Sequence, residues 1–259
     1  MRITVLTENT TCDDNIGTEH GLSLYIETAF HKILFDMGQT DLFARNAEEL
    51  GIDLSETDIA VLSHGHYDHG GGLHRFLEIN RKAPIYVNKH AFEPHYHGSA
   101  RYIGLDVSLR HHPRLVFTGN DTVIDGQLSL HTCNDRYREF DLGSFGLTMC
   151  KDGQFLPDDF VHEQYLLIRE NGKNVLISGC SHKGILNIAK WFAPDVLIGG
   201  FHFSKLPLDA QLAEYAGYLN TFDTSFYTCH CTGPEQYTFM KQHIDCLSYL
   251  SAGQSILIS

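Results

Sequence analysis

The chain has 259 residues, enough for one large α/β domain or two small ones, and its 42% apolar and 20% charged residues exclude a disordered or fibrous chain. Its 19 Lys plus Arg against 32 Asp plus Glu give a formal net charge of −13, which argues against nucleic acid, since polyanion binding needs clustered cations. No apolar run reaches the roughly 18 residues of a membrane span and no signal peptide is visible, so a cytoplasmic protein with a small-molecule substrate is expected, of undetermined oligomeric state.

In chain order, residues 2–7, 22–28, 32–36 and 59–63 read as strands, rich in branched and aromatic side chains and bounded by Gly, Asp or Asn. A helix over 41–50 places Leu42, Phe43, Ala47 and Leu50 on one face and stops at Gly51. A second helix follows the glycines at 70–72, and 84–88 is another strand. Residues from about 90 to 160 show no steady period; short strands near 115–118 and 127–132 interrupt a loop-rich region placed to cover a site. Strands return at 164–169, 174–178 and 196–199. A helix over 208–220 has Leu208, Leu212, Tyr215 and Leu219 on one face. A strand at 225–229 precedes a helix capped by Thr232 or Gly233 with Pro234 at its start, and the chain ends on a strand at 255–259. No linker or low-complexity segment divides the chain, so one domain over 1–259 is expected, with sheets packed together and helices outside.

The cysteine and histidine counts point to chemistry. Seven cysteines, an odd number without a secretion signal, suggest buried thiols or metal ligands rather than disulfides. Seventeen histidines exceed ordinary usage, and their spacing decides what they mean. His64-Gly65-His66-Tyr67-Asp68-His69 begins where the apolar run Ile59-Ala60-Val61-Leu62 ends. In extended backbone His64 and His66 point the same way, while Asp68 and His69 lie where the chain turns toward Gly70-Gly71-Gly72. One pair can therefore hold a first ion and the other a second; imidazole and carboxylate suit zinc, iron or manganese. A chance cluster on a solvated loop is the alternative, and the density of ligand types at a strand end weighs against it.

The segment 62–71 resembles the HxHxDH signature of the metallo-β-lactamase superfamily, and Ile33-Leu34-Phe35-Asp36-Met37-Gly38 is similar to that superfamily's strand ending in Asp-x-Gly. His162-Glu163-Gln164, the stretch 177–185, Ile198-Gly199-Gly200-Phe201-His202 and Cys229-His230-Cys231-Thr232-Gly233 resemble the subgroup related to dihydropterin-ribofuranosylaminobenzene-phosphate synthase. The resemblance implies an α/β fold, an αββα sandwich of two mixed sheets flanked by helices, with a dinuclear centre of two divalent ions, zinc first and manganese or iron as alternatives. It further implies that His162 completes a first site with His64 and His66. Cys180 stands where most members carry a bridging aspartate, and a ligand thiolate and a buried structural thiol both remain open. His230 is preferred over His202 as the last ligand of a second site with Asp68 and His69; His182 and His202 then contact substrate or support ligands. Tyr67 replaces the glutamate of the flavodiiron branch, which disfavours an iron redox role. His20, His31, His74 and His243 are assigned to surfaces or satisfied hydrogen bonds, and His95, His97, His111 and His112 to the cover or a solvated loop.

These readings imply a hydrolase in which metal-activated water, oriented by Asp68, attacks a small ester, lactone or phosphate ester. The subgroup name implies an alternative, a transferase joining a pterin-methyl group to an aminobenzene ring. A non-catalytic metal-binding sensor is the third reading.

Overall fold

A computed structural model describes all 259 residues. The first part of the chain forms β1 (Arg2–Thr7), β2 (Ser23–Glu27), β3 (Lys32–Phe35), α1 (Leu42–Glu49), β4 (Ile59–Val61), α2 (Tyr67–Gly70), α3 (Leu73–Ile79) and β5 (Ile85–Asn88). The middle forms β6 (His95–His97), β7 (Arg101–Tyr102), β8 (Leu115–Thr118), β9 (Asp121–Val123), β10 (Leu128–His131), β11 (Leu147–Lys151) and β12 (Gln154–Pro157). The last part forms β13 (Tyr165–Glu170), β14 (Lys173–Ile177), α4 (Ile185–Phe192), β15 (Val196–Gly199), α5 (Ala210–Leu219), β16 (Ser225–Thr228), α6 (Pro234–Met240), β17 (Leu247–Tyr249) and β18 (Ser255–Leu257).

Two seven-stranded mixed sheets result, ordered β18-β1-β2-β3-β4-β5-β8 and β17-β16-β15-β14-β13-β10-β9. Each combines antiparallel strands with a parallel run: β3-β4-β5-β8 in one and β14-β15-β16-β17 in the other. Strand side chains alternate between faces, and here both faces are buried. Ile33 and Phe35 of β3 and Val175 and Ile177 of β14 point into one core between the sheets, with Leu166, Ile168, Val196 and Ile198. Leu34 points outward to Phe43, Ala47 and Phe76 beneath α1 and α3; Leu176 and Leu197 point outward to Ile188, Leu212 and Met240 beneath α4, α5 and α6. Three apolar clusters between four layers make the αββα sandwich. No helix is long and apolar enough to cross a membrane.

Several local expectations change. The loop-rich region contains a four-stranded antiparallel sheet, β12-β11-β6-β7, that the sequence does not announce. Helix α4 and strands β9 and β17 were likewise not anticipated. Leu208 lies outside α5 and is 47% exposed rather than on its buried face, because Asp209 caps the helix by accepting from the Gln211 and Leu212 amides. Gly233 caps α6 with Pro234 following, while the Thr232 hydroxyl accepts from Phe201 N instead.

Candidate metal centre

The parallel strands of the two sheets end at one place, and the predicted residues follow them. His64 comes after β4, Cys180 and His182 after β14, His202 after β15 and His230 after β16. Sites outside the carboxyl ends of parallel strands are a general consequence of this architecture. The chain must turn sharply there, and left-handed backbone appears after each of four strands: Asp36 (φ 58°), Ser181 (φ 61°), His202 (φ 58°) and His230 (φ 49°). Non-glycine residues in that region cost of order 1–3 kcal/mol each and persist where surrounding contacts hold them. Gly65 serves a different need: the Ala91 carbonyl passes so close that a Cβ would run into it.

Asp68, His69, Cys180 and His230 converge. His69 Nε2 is 3.0 Å from Cys180 Sγ and 3.2 Å from His230 Nε2, and Asp68 Oδ2 is 3.5 Å from His230 Nε2 and 3.9 Å from His69 Nε2. Each of these pairs is close enough to share an ion, and His69 and Cys180 also group with His64. His202 joins no such group; its ring lies against that of His182, 4.4 Å between centroids and inclined by 59°. His64, His66 and His182 form an adjoining group, with His182 Nε2 3.3 Å from His64 Nε2. His182 thus lies among candidate ligands rather than behind them. His162 is buried beside His66, but its donor atoms group with His66, His95 and Asp158 rather than with His64.

Outer partners fix most of these rings. His69 Nδ1 donates to Asp36 Oδ2 at 2.6 Å, and Asp36 also accepts from the Ser63 amide and hydroxyl, each at 2.7 Å. His64 Nδ1 pairs with the Ser63 hydroxyl at 2.8 Å and His230 Nδ1 with Asn9 Oδ1 at 2.8 Å. In each case Nε2 is left facing the cluster, the arrangement by which an outer hydrogen bond orients a metal-binding imidazole. Burial holds His64, His66 and His182 well below the ordinary histidine value and pulls His162, His202 and His230 down to about 4. Burial also pulls on His69, but the Asp36 and Asp68 carboxylates outweigh it and raise the ring. Burial would raise the Asp68 carboxyl; His69, His20 and His230 overcome that and hold it well below the usual carboxylate range.

The donor set fits a metal. Neutral imidazoles crowd together with an ionised carboxylate, and Nε2 of His66, His95 and His162 and Nδ1 of His182 are buried without a hydrogen-bond partner. An unsatisfied buried nitrogen costs about 1–3 kcal/mol, which a coordinated cation would recover. Two residues near the cluster were not singled out from sequence: His20, whose Nε2 lies 3.3 Å from Asp68 Oδ2, and Cys231, grouped with Cys180 and His230. His20, which the sequence assigns to a surface or a satisfied hydrogen bond, is exposed and yet reaches the site; only tertiary contact reveals this. A cleft of about 240 Å³ opens over the cluster, walled by Tyr67, Arg101, His97, His202 and Lys205. Arg101 comes from the cover sheet and donates to the Tyr67 hydroxyl at 2.8 Å.

The metallo-beta-lactamase superfamily model matches residues 16–218. An uncharacterized protein of Methanocaldococcus jannaschii, MJ0448, is 31% identical over 251 residues, covering 93% of this chain and 94% of its own. The 7,8-dihydropterin-6-methyl-4-(beta-D-ribofuranosyl)-aminobenzene-5'-phosphate synthase of the same organism is 26% identical, covering 92% and 90%. Among solved structures, Tm1679, described as a metal-dependent hydrolase of the beta-lactamase superfamily, is 30% identical with a TM-score of 0.85 over 100% of this chain and 99% of its own.

Proposed function

Because the chain belongs to the metallo-beta-lactamase superfamily, we propose that it is a metal-dependent hydrolase of a small ester, lactone or phosphate ester. Its cofactor in this reading is a pair of divalent ions, zinc ahead of manganese or iron. The observation that carries the reading is a run of overlapping donor groups, His64 with His66 and His182, His64 with His69 and Cys180, and His230 with Cys180 and with Asp68, of which His66, Asp68, Cys180, His182 and His230 line one cleft. His95 and His162 both lie against His66 on its other side. Ions held by these donors would polarise a carbonyl or phosphoryl oxygen and acidify water. Asp68 stays ionised among its histidines, so its free lone pairs can accept a hydrogen bond from the attacking water and aim it. Arg101 and Lys205 place two cations on the cleft wall, which favours an anionic substrate and, within the range proposed, a phosphate ester. His202 lines the same cleft and would contact the bound molecule there.

Turnover by metal-loaded protein across carboxylic esters, lactones, phosphomonoesters and phosphodiesters tests the reading. At least one class should be cleaved, and Asp68→Asn should lower kcat by about a hundredfold or more. Metal binding with no cleavage of any class would favour the sensor instead. The synthase relative supports a transferase as second reading; a product joining two substrates, formed without net consumption of water, would replace hydrolysis with it.

A further inference from the structure

His95 opens β6 in the cover sheet and is fully buried. Its Nδ1 donates to Asp158 Oδ2 at 2.8 Å, which places the ring proton on Nδ1 and leaves the Nε2 lone pair unshared. That Nε2 is buried and has no hydrogen-bond partner. Donor atoms of His95, His66, His162 and Asp158 all lie within 4.8 Å of one another, and the His95 ring stands 5.6 Å from that of His66 between centroids. His64, His69 and His230 carry the same signature, an outer partner on Nδ1 and Nε2 toward the cluster. His162 does not. Its Nδ1 accepts from the Gly65 amide at 2.9 Å, so a neutral ring carries its proton on Nε2, 3.4 Å from Asp158 Oδ2. Nε2 is buried without a hydrogen-bond partner in both rings on this side of His66, and the bonds at Nδ1 separate them: a neutral His95 keeps its Nε2 lone pair free, whereas a neutral His162 carries its proton there.

We propose that His95 is a metal ligand, holding an ion together with His66, the residue its group shares with the His64–His66–His182 group, with Asp158 fixing its ring; this rests on the metal-centre reading above. A purely structural role, tying β6 to the turn after β12, accounts for the Nδ1 bond to Asp158 but leaves Nε2 buried and unsatisfied. Coordination satisfies both nitrogens. It also makes the cover sheet part of the metal centre rather than a lid over it.

The test loads wild type, His95→Ala and Asp158→Asn with Zn²⁺ and with Co²⁺, and reads bound equivalents after dialysis, the titrated dissociation constant and the Co²⁺ visible spectrum. Far-UV circular dichroism of the metal-free proteins checks folding. His95→Ala should weaken one equivalent by at least about tenfold and alter the Co²⁺ bands, and Asp158→Asn should weaken the same equivalent by about tenfold or more. Should His95→Ala fail to fold, His95→Cys against His95→Gln decides: only the thiolate should retain tight binding and add a sulfur-to-cobalt charge-transfer band. Wild-type stoichiometry, affinity and spectrum in His95→Ala, or equal metal content in the Cys and Gln variants, overturns the proposal and leaves the metal centre intact. A wild-type protein that binds neither ion overturns both.

Discussion

At the residue scale the sequence left Cys180 open between ligand and packed thiol. Its Sγ is buried 3.0 Å from His69 Nε2, and burial pushes the thiol up in the metal-free chain, so only a neighbouring cation would make it a thiolate. Cys180→Ser is therefore expected to lower metal content at the site of Asp68 and His69 while changing the melting temperature of metal-free protein little. Unchanged metal content with a lowered melting temperature would identify the packed thiol. The legible residues share one property: they lie in a short contiguous run. His64, His66, Asp68 and His69 announce themselves by spacing alone. Their supports do not, because Asp36 meets His69 across 33 residues and Asn9 meets His230 across 221, and nothing local marks either pairing. Asp158 belongs with them; it meets His95 across 63 residues.

At the scale of elements, the junction between β4 and α2 is the most constrained. Here the two histidines straddle Gly65, and the Ala91 backbone fills the space where a side chain would grow. Gly65→Ala is expected to cost about 1–3 kcal/mol of unfolding free energy by overpacking, and to loosen binding by the first-site histidines as well. Urea denaturation with metal titration checks both; unchanged stability and affinity would show that the turn at Ala91 yields. The same comparison explains which elements could be read. Strands β3, β13 and β14 contain apolar runs buried on both faces, Ile33–Phe35, Tyr165–Ile168 and Val175–Ile177. The cover sheet gives no such signal: β7 has two exposed residues, and β12 is exposed throughout. Helix α4 is short and its sequence, Ile-Leu-Asn-Ile-Ala-Lys-Trp-Phe, is apolar at six of eight positions, so it shows too little polar face to mark a helical period.

At the scale of the molecule, the buried histidines set an acid limit. His162, His202 and His230 are held at about 4 in the fold, against roughly 6.5 in an unfolded chain. Between those values the unfolded chain binds more protons, so stability rises with pH; it is fully present above about 6.5 and lost as pH falls toward 4. His69 is raised and works in the opposite sense, but it stands alone against the lowered set. Metal-free protein in chelator should thus melt at progressively lower temperature from pH 7 to pH 4, and a flat profile would contradict the burial argument. The separation of the ligands along the chain also dictates an order in time. His69 must meet Cys180 across 111 residues and His230 across 161. At about 5–20 residues per second, a ribosome releases His230 roughly ten to thirty seconds after His69. During that interval the growing chain displays an incomplete set of donors to whatever cation the surroundings offer. Discrimination among cations therefore belongs to the finished architecture, and a chain translated amid a competing ion would be sorted only after its last strands have docked.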